Sequence, residues 1–340
     1  MKHFSRYAIL VMVAILPAVS SCNRNPAFHN TYGITQGTTY SIVYEIRPST
    51  KTDKINQAIE LRLLDIDSSL SVYNQASLIS SINRGEERIV DSLFADVFRI
   101  SEKVSQMTGG LFDITVGPLV RAWGFGPDAF TRFDSTKVDS LLSFVGYEKV
   151  KLVGGRVLKS DPRIRLDVNA VAQGYSVDVI CRLLDSYNIK NYLVEIGGEV
   201  RAKGAKGDRL WRVGLDKPFE NNNSPGEDLF AVVELENSAL ATSGNYRKFY
   251  VDERGSKFTH TINPKTGSPA RHNLLSATII APDCATADAF ATACMVAGFE
   301  AAVELIGRYD QIEGYLIYSG ENGEYLTWVS DGIRERIKQE

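Results

Sequence analysis

The sequence predicts an α+β fold in which antiparallel sheets pack against helices. Segments with strand character outnumber helical ones, and glycine-containing turns join several of them as hairpins do. The strand–helix alternation that builds a parallel sheet is missing, as are the GxGxxG and Walker A motifs. With 340 residues, 44% of them hydrophobic, the chain has material for one large domain or two interlocked lobes.

The charge pattern gives no support for nucleic-acid binding. The chain has 38 Lys and Arg against 41 Asp and Glu, a formal net charge of −3, and no block of like charge. Because this balance is acidic, a phosphate-bearing ligand would need local hydrogen-bond donors or a metal ion. No Cys or His spacing typical of zinc appears, and neither does a catalytic Ser-His-Asp or HExxH motif.

The N-terminus has the pattern of an export signal. A basic region with Lys2 and Arg6 precedes an apolar run at 7–19 that is too short for a comfortable membrane span. Val19-Ser-Ser-Cys22 then resembles a bacterial lipobox, in which the cysteine is lipidated and begins the mature chain. A plain secretory signal that happens to contain a cysteine is the alternative. We expect a lipoprotein signal at 1–21, a lipidated Cys22, a polar tether at 22–32 and a single domain at 33–335.

In the first half of the domain, the sequence predicts two amphipathic helices among strands. Residues 33–45 predict a strand, and the apolar spacing at 55–66 and at 93–107 predicts the helices. Residues 150–159 predict a hairpin that turns at Gly154-Gly155. Residues 164–168 predict a strand that leads into a helix capped near Asn169.

A glycine-rich and aromatic run at 108–126 differs in texture from its surroundings. It contains Phe112, Asp113 and Trp123 among five glycines. Glycine permits close approach of the backbone and an aromatic ring offers a flat wall, so such a run can wrap a planar ligand. An irregular packed loop is the alternative.

The second half of the domain is mainly strands. We expect strands at 191–204, with a break at Gly197-Gly198, and at 210–215, 229–236, 248–252, 260–267 and 275–281. A hairpin is expected from 315–319 to 325–329, and helices at 284–298 and 299–309.

The alanine-rich helix at 284–298 carries Asp288 and Thr292, which lie four residues apart and therefore on one face. A carboxylate and a hydroxyl arranged in this way can hold a hard cation such as Mg²⁺ through oxygen. The alternative is that both groups hydrogen-bond within a contact between this helix and a sheet. Asp167, Ala170 and Gln173 lie around the first turn of another predicted helix, where free N–H groups favour anions.

Seven segments, in this order, resemble the ApbE family of FAD:protein FMN transferases. They are Leu70-Ser-Val-Tyr73, 110–126, 166–178, 195–198, Ser243-Gly244, 260–267 and 287–298. The resemblance extends from about Gly33 to Val329, which is nearly the whole mature chain. It implies the ApbE-like α+β fold, which is related to tunnelling-fold modules.

The resemblance implies an enzyme that moves the FMN half of FAD onto a threonine of an exported acceptor protein, such as a redox-pump subunit, and releases AMP. It also implies Mg²⁺ as a cofactor and a lipid-anchored position in the cell envelope, facing the periplasm or the exterior. An FAD pyrophosphatase, which gives free FMN and AMP, is one alternative, and a non-enzymatic flavin-binding lipoprotein is the other. The chain lacks a Ser-Gly-Ala-Thr acceptor motif, so self-flavinylation is not expected.

The resemblance further implies the roles of individual residues. The implied metal ligands are Asp288, Thr292 and the backbone carbonyl of Ala170. The implied contacts to the flavin nucleotide are Gln36, Tyr73, Leu111, Phe112, Asp113, Asp167, Gln173 and Ile262. Of these, Tyr73 and Phe112 are expected to stack on a ring of FAD. His260 matches a histidine near the reacting phosphate and is the expected general base, with Asp288 and Asp113 as alternatives.

Overall fold

An eight-stranded antiparallel sheet is the centre of the fold. The computed structural model describes residues 26–125, 138–218, 226–244, 249–251, 257–259 and 261–339. Its strands are β1 (Ala27–Thr35), β2 (Thr38–Ile46), β3 (Val150–Val153), β4 (Arg156–Lys159), β5 (Tyr192–Ile196), β6 (Glu199–Lys203), β7 (Trp211–Asp216), β8 (Leu229–Leu235), β9 (Ala239–Gly244), β10 (Phe249–Val251), β11 (Lys257–Thr259), β12 (Leu274–Ala281), β13 (Glu313–Ser319), β14 (Tyr325–Val329) and β15 (Ile337–Gln339). Its α-helices are α1 (Thr52–Leu70), α2 (Leu78–Arg84), α3 (Ser92–Met107), α4 (Gly117–Ala122), α5 (Val138–Leu142), α6 (Asn169–Ser186), α7 (Cys284–Ala297) and α8 (Phe299–Ile306).

The large sheet has the order β1-β2-β5-β6-β9-β12-β13-β14, and every neighbouring pair is antiparallel. A three-stranded sheet has the order β15-β8-β7, and β3-β4 and β10-β11 form two-stranded sheets. The predicted α+β class with antiparallel sheets is therefore confirmed. Among the described helices, none is both long and apolar enough to cross a membrane.

The large sheet has a hydrophobic cluster on each face. Neighbouring residues of β12 alternate between them, with Ile279 in the cluster that includes α1, α3, α6 and α7, and Ile280 in the cluster that includes β7 and β8. The helices contribute residues at three- and four-residue spacing, such as Ile55, Ile59 and Leu63 on α1. The domain thus has three layers, with helices on one side of the large sheet and the small sheet on the other.

The predicted strand at 33–45 is wrong, because these residues form a hairpin. Gln36 and Gly37 both have positive φ, 50° and 72°, as a two-residue type I′ turn requires. Ala27 pairs with Ile46, so residues 27–32, which the sequence assigns to the tether, belong to the sheet. The domain also extends past 335 at its other end, since β15 pairs with β8.

The strand predicted at 164–168 is also wrong. Asn83 of α2 binds the backbone of Leu166 through its own amide, donating to the carbonyl at 2.8 Å and accepting from the N–H at 2.7 Å. A side chain therefore satisfies backbone groups that a neighbouring strand would otherwise satisfy. Residues 191–204 form the β5–β6 hairpin around Gly197-Gly198, and the run at 108–126 contains a short 3₁₀ turn and α4.

Candidate active site

The crossing of α6 and α7 is the structural basis of the candidate site. Gly174 of α6 lies so close to α7 that an added Cβ would be 2.8 Å from Asp288 Cβ and 2.7 Å from the carbonyl carbon of Cys284. The amide of Gly174 donates to Asp288 Oδ2 at 3.1 Å, and among the described residues it is the one hydrogen-bond donor to this carboxylate. Small residues on both helices thus bring the Asp288 carboxylate against the backbone of α6.

Asp288 is a buried carboxylate, with 6% of its surface exposed. Burial raises its pKa to about 7, and the hydrogen bond from Gly174 opposes this shift. A carboxylate that is costly to ionise in isolation becomes favourable to ionise beside a cation. A cation bound beside Asp288 would therefore favour the ionised form of its carboxylate.

Thr292 and Ala170 supply two further oxygens on the same two helices. Thr292 lies one helical turn after Asp288, and its Oγ1 is 3.3 Å from Ser243 Oγ at the end of β9. Ala170 departs from helical geometry, with ψ of 15° where an α-helix has about −42°. Its carbonyl is therefore tilted away from the direction of the hydrogen bonds within the helix. In a regular helix this carbonyl would accept from the amide of Gly174, which is the amide that donates to Asp288.

These donors fit Mg²⁺ by their chemistry. A carboxylate, a hydroxyl and a backbone carbonyl are all hard oxygen donors, and Mg²⁺ typically takes one or two protein carboxylates together with water and substrate phosphate. Within the described residues no group of three or more His, Cys, Asp or Glu forms a metal cluster. The set thus differs from a zinc site and from a site enclosed by carboxylates.

The two predicted glutamines lie beside the first half of α6. Gln36, in the β1–β2 turn, donates from Nε2 to Ser176 Oγ at 2.6 Å. The Gln173 amide lies against Gly197, where any Cβ would collide with its Nε2. Two hairpin turns of the large sheet therefore meet α6 near the Gly174 crossing.

Tyr73 and Asp167 are neighbours on the side where α6 begins. Tyr73 is 59% exposed, so much of its side chain is accessible to a ligand. Burial of its hydroxyl, and then the charge of Asp167, raise the pKa of Tyr73. Asp167 Oδ1 accepts from the amide of Asn169 at 2.9 Å, which places this carboxylate at the start of α6.

The structure contradicts the stacking role expected for Phe112 and argues against Asp113 as the general base. The Phe112 side chain is 2% exposed and belongs to the main core, so it cannot stack on FAD in this conformation. The Asp113 carboxylate accepts from the Thr115 hydroxyl at 2.6 Å and from the amides of Thr115 and Tyr147 at 2.7 Å. It therefore holds two loops together, and its hydrogen bonds leave it poorly placed as a general base.

The remaining predicted contacts lie close to apolar clusters. Leu111 is half-buried against the main core, and Ile262 is buried in a small cluster with Leu119 and Trp123. Trp123 Nε1 donates to the carbonyl of Gly267 at 2.8 Å, which ties the run at 108–126 to the turn after Ile262. His260 and Cys22 lie outside the described residues.

Sequence reasoning missed Asp178, which positions α7. Its buried carboxylate accepts from the amides of Cys284 at 3.1 Å and Ala285 at 3.0 Å, in the first turn of α7. Arg201 of β6 binds the same carboxylate at 2.5 Å. Burial raises the pKa of Asp178, and Arg201 and the two amides oppose that shift. An aspartate within an otherwise apolar stretch of α6 was the available signal.

The fold is that of a flavin-transferase class of protein, as comparison with known proteins shows. The ApbE family model matches residues 36–316. The chain belongs to the ApbE family.

Relatives and solved structures agree with this assignment. The chain is 32% identical to the FAD:protein FMN transferase of Haemophilus influenzae, over 96% of each chain. It is 34% identical to that of Vibrio cholerae, over 94% of this chain and 96% of the relative. Among solved structures, the flavin transferase ApbE from Vibrio cholerae superposes with a TM-score of 0.80 at 31% identity, covering 92% of this chain and 99% of that one. The apo form of Pseudomonas stutzeri flavinyl transferase ApbE gives 0.81 at 27% identity, covering 92% and 97%.

Proposed function

We propose that this protein transfers FMN from FAD to a target protein, with Mg²⁺ as cofactor and a threonine hydroxyl of an exported protein as acceptor. The observation that carries the proposal is the buried Asp288 carboxylate, held by the Gly174 amide beside the tilted carbonyl of Ala170. The names of the relatives support the flavin transfer. The hard oxygen donors support the choice of metal.

The proposed reaction breaks the phosphoanhydride bond of FAD and forms a phosphoester bond between FMN and the threonine oxygen. AMP leaves with the electron pair of the broken bond, and the hydroxyl proton goes to a general base. When bound, Mg²⁺ would neutralise the pyrophosphate and stabilise the charge that develops on AMP. Asp288, Thr292 and Ala170 would hold it.

Three residues are candidates for the general base, and two of them, Asp113 and Asp288, already have another role. Asp113 accepts three hydrogen bonds from Thr115 and Tyr147, and Asp288 is the proposed metal ligand. We therefore propose His260 as the base. Tyr73, with its exposed ring, is the proposed stacking platform for FAD.

The proposal is tested by mixing purified protein, FAD, Mg²⁺ and an exported acceptor that bears a threonine motif, with and without chelator. Mass spectrometry of the acceptor should show an FMN adduct that chelator prevents. An adduct formed equally well in chelator would contradict the metal role. Free FMN without an adduct on any acceptor would favour the pyrophosphatase, and binding of FAD without turnover would favour a flavin-binding lipoprotein.

A pair of carboxylates on α7 supplies matched variants for this assay. Asp288→Ala should nearly abolish transfer while the protein stays folded. Asp283 caps the same helix, accepting from the amide of Thr286 at 2.9 Å, so Asp283→Ala should cost about 1 kcal/mol of stability and retain transfer. Equal activity of the two variants would remove Asp288 from the mechanism.

We also propose that the protein is lipid-anchored through Cys22 and works in the cell envelope. The support is the lipobox-like Val19-Ser-Ser-Cys22 behind a short apolar run. Several acyl chains hold a protein stably on a membrane, whereas one holds it weakly. Cys22→Ser should therefore move the protein to the soluble fraction, and its persistence in the membrane fraction would contradict the anchor.

A further inference from the structure

Four basic side chains surround a cavity of about 350 Å³ where α1 begins and α6 has ended. They are Arg47, Lys51, Lys54 and Lys190, and we call them the basic end surface. All four residues are exposed. They are clustered on a chain whose formal net charge is −3, so the cluster does not reflect the overall charge.

The basic end surface is rich in positive charge, with four cations and one carboxylate, Glu45, around the cavity. Within the described residues, none of its four side chains forms an ion pair with a carboxylate. The Glu45 carboxylate accepts from Asn191 Nδ2 at 2.6 Å and makes no ion pair with the four cations. Helix α1 also begins here, and its N-cap residue Lys51 makes no side-chain cap, so free N–H groups add positive potential, which the exposed Asp53 in the same turn partly offsets.

The chain leaves the sheet beside this surface in the direction of Cys22. Ala27, the first residue of β1, pairs with Ile46, which directly precedes Arg47. Cys22 is five residues before Ala27, and five extended residues span at most about 17 Å. A lipid on Cys22 would therefore enter its membrane close to the basic end surface.

The candidate active site lies at the opposite end of the same strands. The β1–β2 turn, where Gln36 contacts Ser176, is separated from the Ala27–Ile46 pair by the length of β2. Nine residues of antiparallel strand span about 30 Å. The anchor and the basic end surface therefore share one end of the domain, and the site occupies the other.

We propose that the basic end surface docks on the anionic phospholipid headgroups of the membrane that holds the lipid anchor. The headgroup phosphates supply the charge that the four cations lack within the protein, and docking directs the active site away from the bilayer, towards incoming acceptor proteins. This inference rests on the proposed anchor at Cys22 and not on the chemistry of flavin transfer.

The test compares two single-cysteine labels on the lipidated full-length protein in vesicles. The three described cysteines, Cys181, Cys284 and Cys294, are buried, so a thiol dye would report on an introduced surface cysteine. Ser49→Cys labels the rim of the cavity, and Ile34→Cys, at a residue that is 83% exposed, labels the far end of β1. The vesicles contain phosphatidylcholine alone, or equal parts of phosphatidylcholine and phosphatidylglycerol, with a quencher on the headgroup.

We expect the dye at 49 to be quenched and the dye at 34 to be spared, in anionic vesicles and at low salt only. Because a basic residue near an anionic surface strengthens binding about fivefold, replacing Lys51, Lys54 and Lys190 with Gln should lower the ratio of docked to undocked protein about 100-fold. The matched control replaces three exposed lysines outside the cavity, Lys103, Lys151 and Lys338, and should leave quenching unchanged.

Each other outcome overturns the proposal. Equal quenching of the two labels, quenching that persists in the Lys51, Lys54 and Lys190 variant, or equal effects of the two triple variants would each show that the basic end surface does not dock. Flotation of the vesicles reports separately whether the anchor holds, circular dichroism reports whether a variant is folded, and FMN transfer in detergent reports whether the enzyme works. A failed anchor, a failed docking surface and a failed enzyme are thus distinguished.

Discussion

Replacing Gly174 by alanine tests the proposal that the close crossing of α6 and α7 forms the active site. An alanine Cβ would collide with the carbonyl oxygen of Cys284, which is closer still than the carbonyl carbon at 2.7 Å, whereas ordinary contacts begin at 3.4 Å. The obstacle is backbone, which cannot rotate away as a flexible side chain can. The two helices must therefore separate by roughly 1 Å.

Two effects on stability oppose each other in Gly174→Ala. Alanine in a helix interior is more favourable than glycine by about 1 kcal/mol. Overpacking of a tight core contact costs about 1–3 kcal/mol. The free energy of unfolding should therefore fall by no more than about 2 kcal/mol, and the protein should stay folded.

Activity should fall much further, because the shift separates Asp288 from the amide of Gly174 and from Ala170. A misplacement of about 1 Å in a catalytic site can cost about 100-fold in rate. Urea denaturation and FMN transfer, measured on the same preparations, separate the two effects. The matched control is Gly307→Ala at the end of α8, where a Cβ would meet nothing closer than 3.4 Å, and it should keep full transfer. Full transfer by Gly174→Ala would refute the reasoning.

Three further predictions concern single side chains. Tyr73→Ala should weaken FAD binding in calorimetry by about 0.5–1.5 kcal/mol, while Tyr32→Ala on the exposed face of β1 leaves it unchanged; equal affinities would exclude stacking on Tyr73. Asp178→Asn should lower the free energy of unfolding by about 3 kcal/mol, because a buried charge that binds Arg201 and two amides is lost; a wild-type denaturation midpoint would contradict this. Burial lowers the pKa of Lys159 to about 8 in the folded protein, whereas the pKa in the unfolded chain is 10.5. The unfolded state therefore binds this proton more tightly. The free energy of unfolding should therefore rise between pH 8 and 10.5, and a slope unchanged in Lys159→Met would count against it.

Local pattern predicted the long helices but not the short α2, α4 and α5, because apolar spacing over several turns is a property of consecutive residues. The spacing of Ile55, Ile59 and Leu63 marks the buried side of α1, and the glycine pair at 154–155 marks the β3–β4 turn. The Gln36-Gly37 turn was missed because strand-forming threonines flank it, so the hairpin looked like one strand. The segment at 164–168 was misassigned because its backbone partner is the side chain of Asn83, more than eighty residues away.

The sequence by itself determined that Asp288 and Thr292 share a face of one helix, because four residues make about one helical turn. It also determined the family, through motifs spread along the chain. Only the tertiary structure decided that Gly174 brings the backbone of α6 against Asp288, that Phe112 is buried, and that Asp178 fixes the start of α7. The physical reason is that spacing along the chain sets what one element presents, whereas burial and close approach depend on which distant element packs against it.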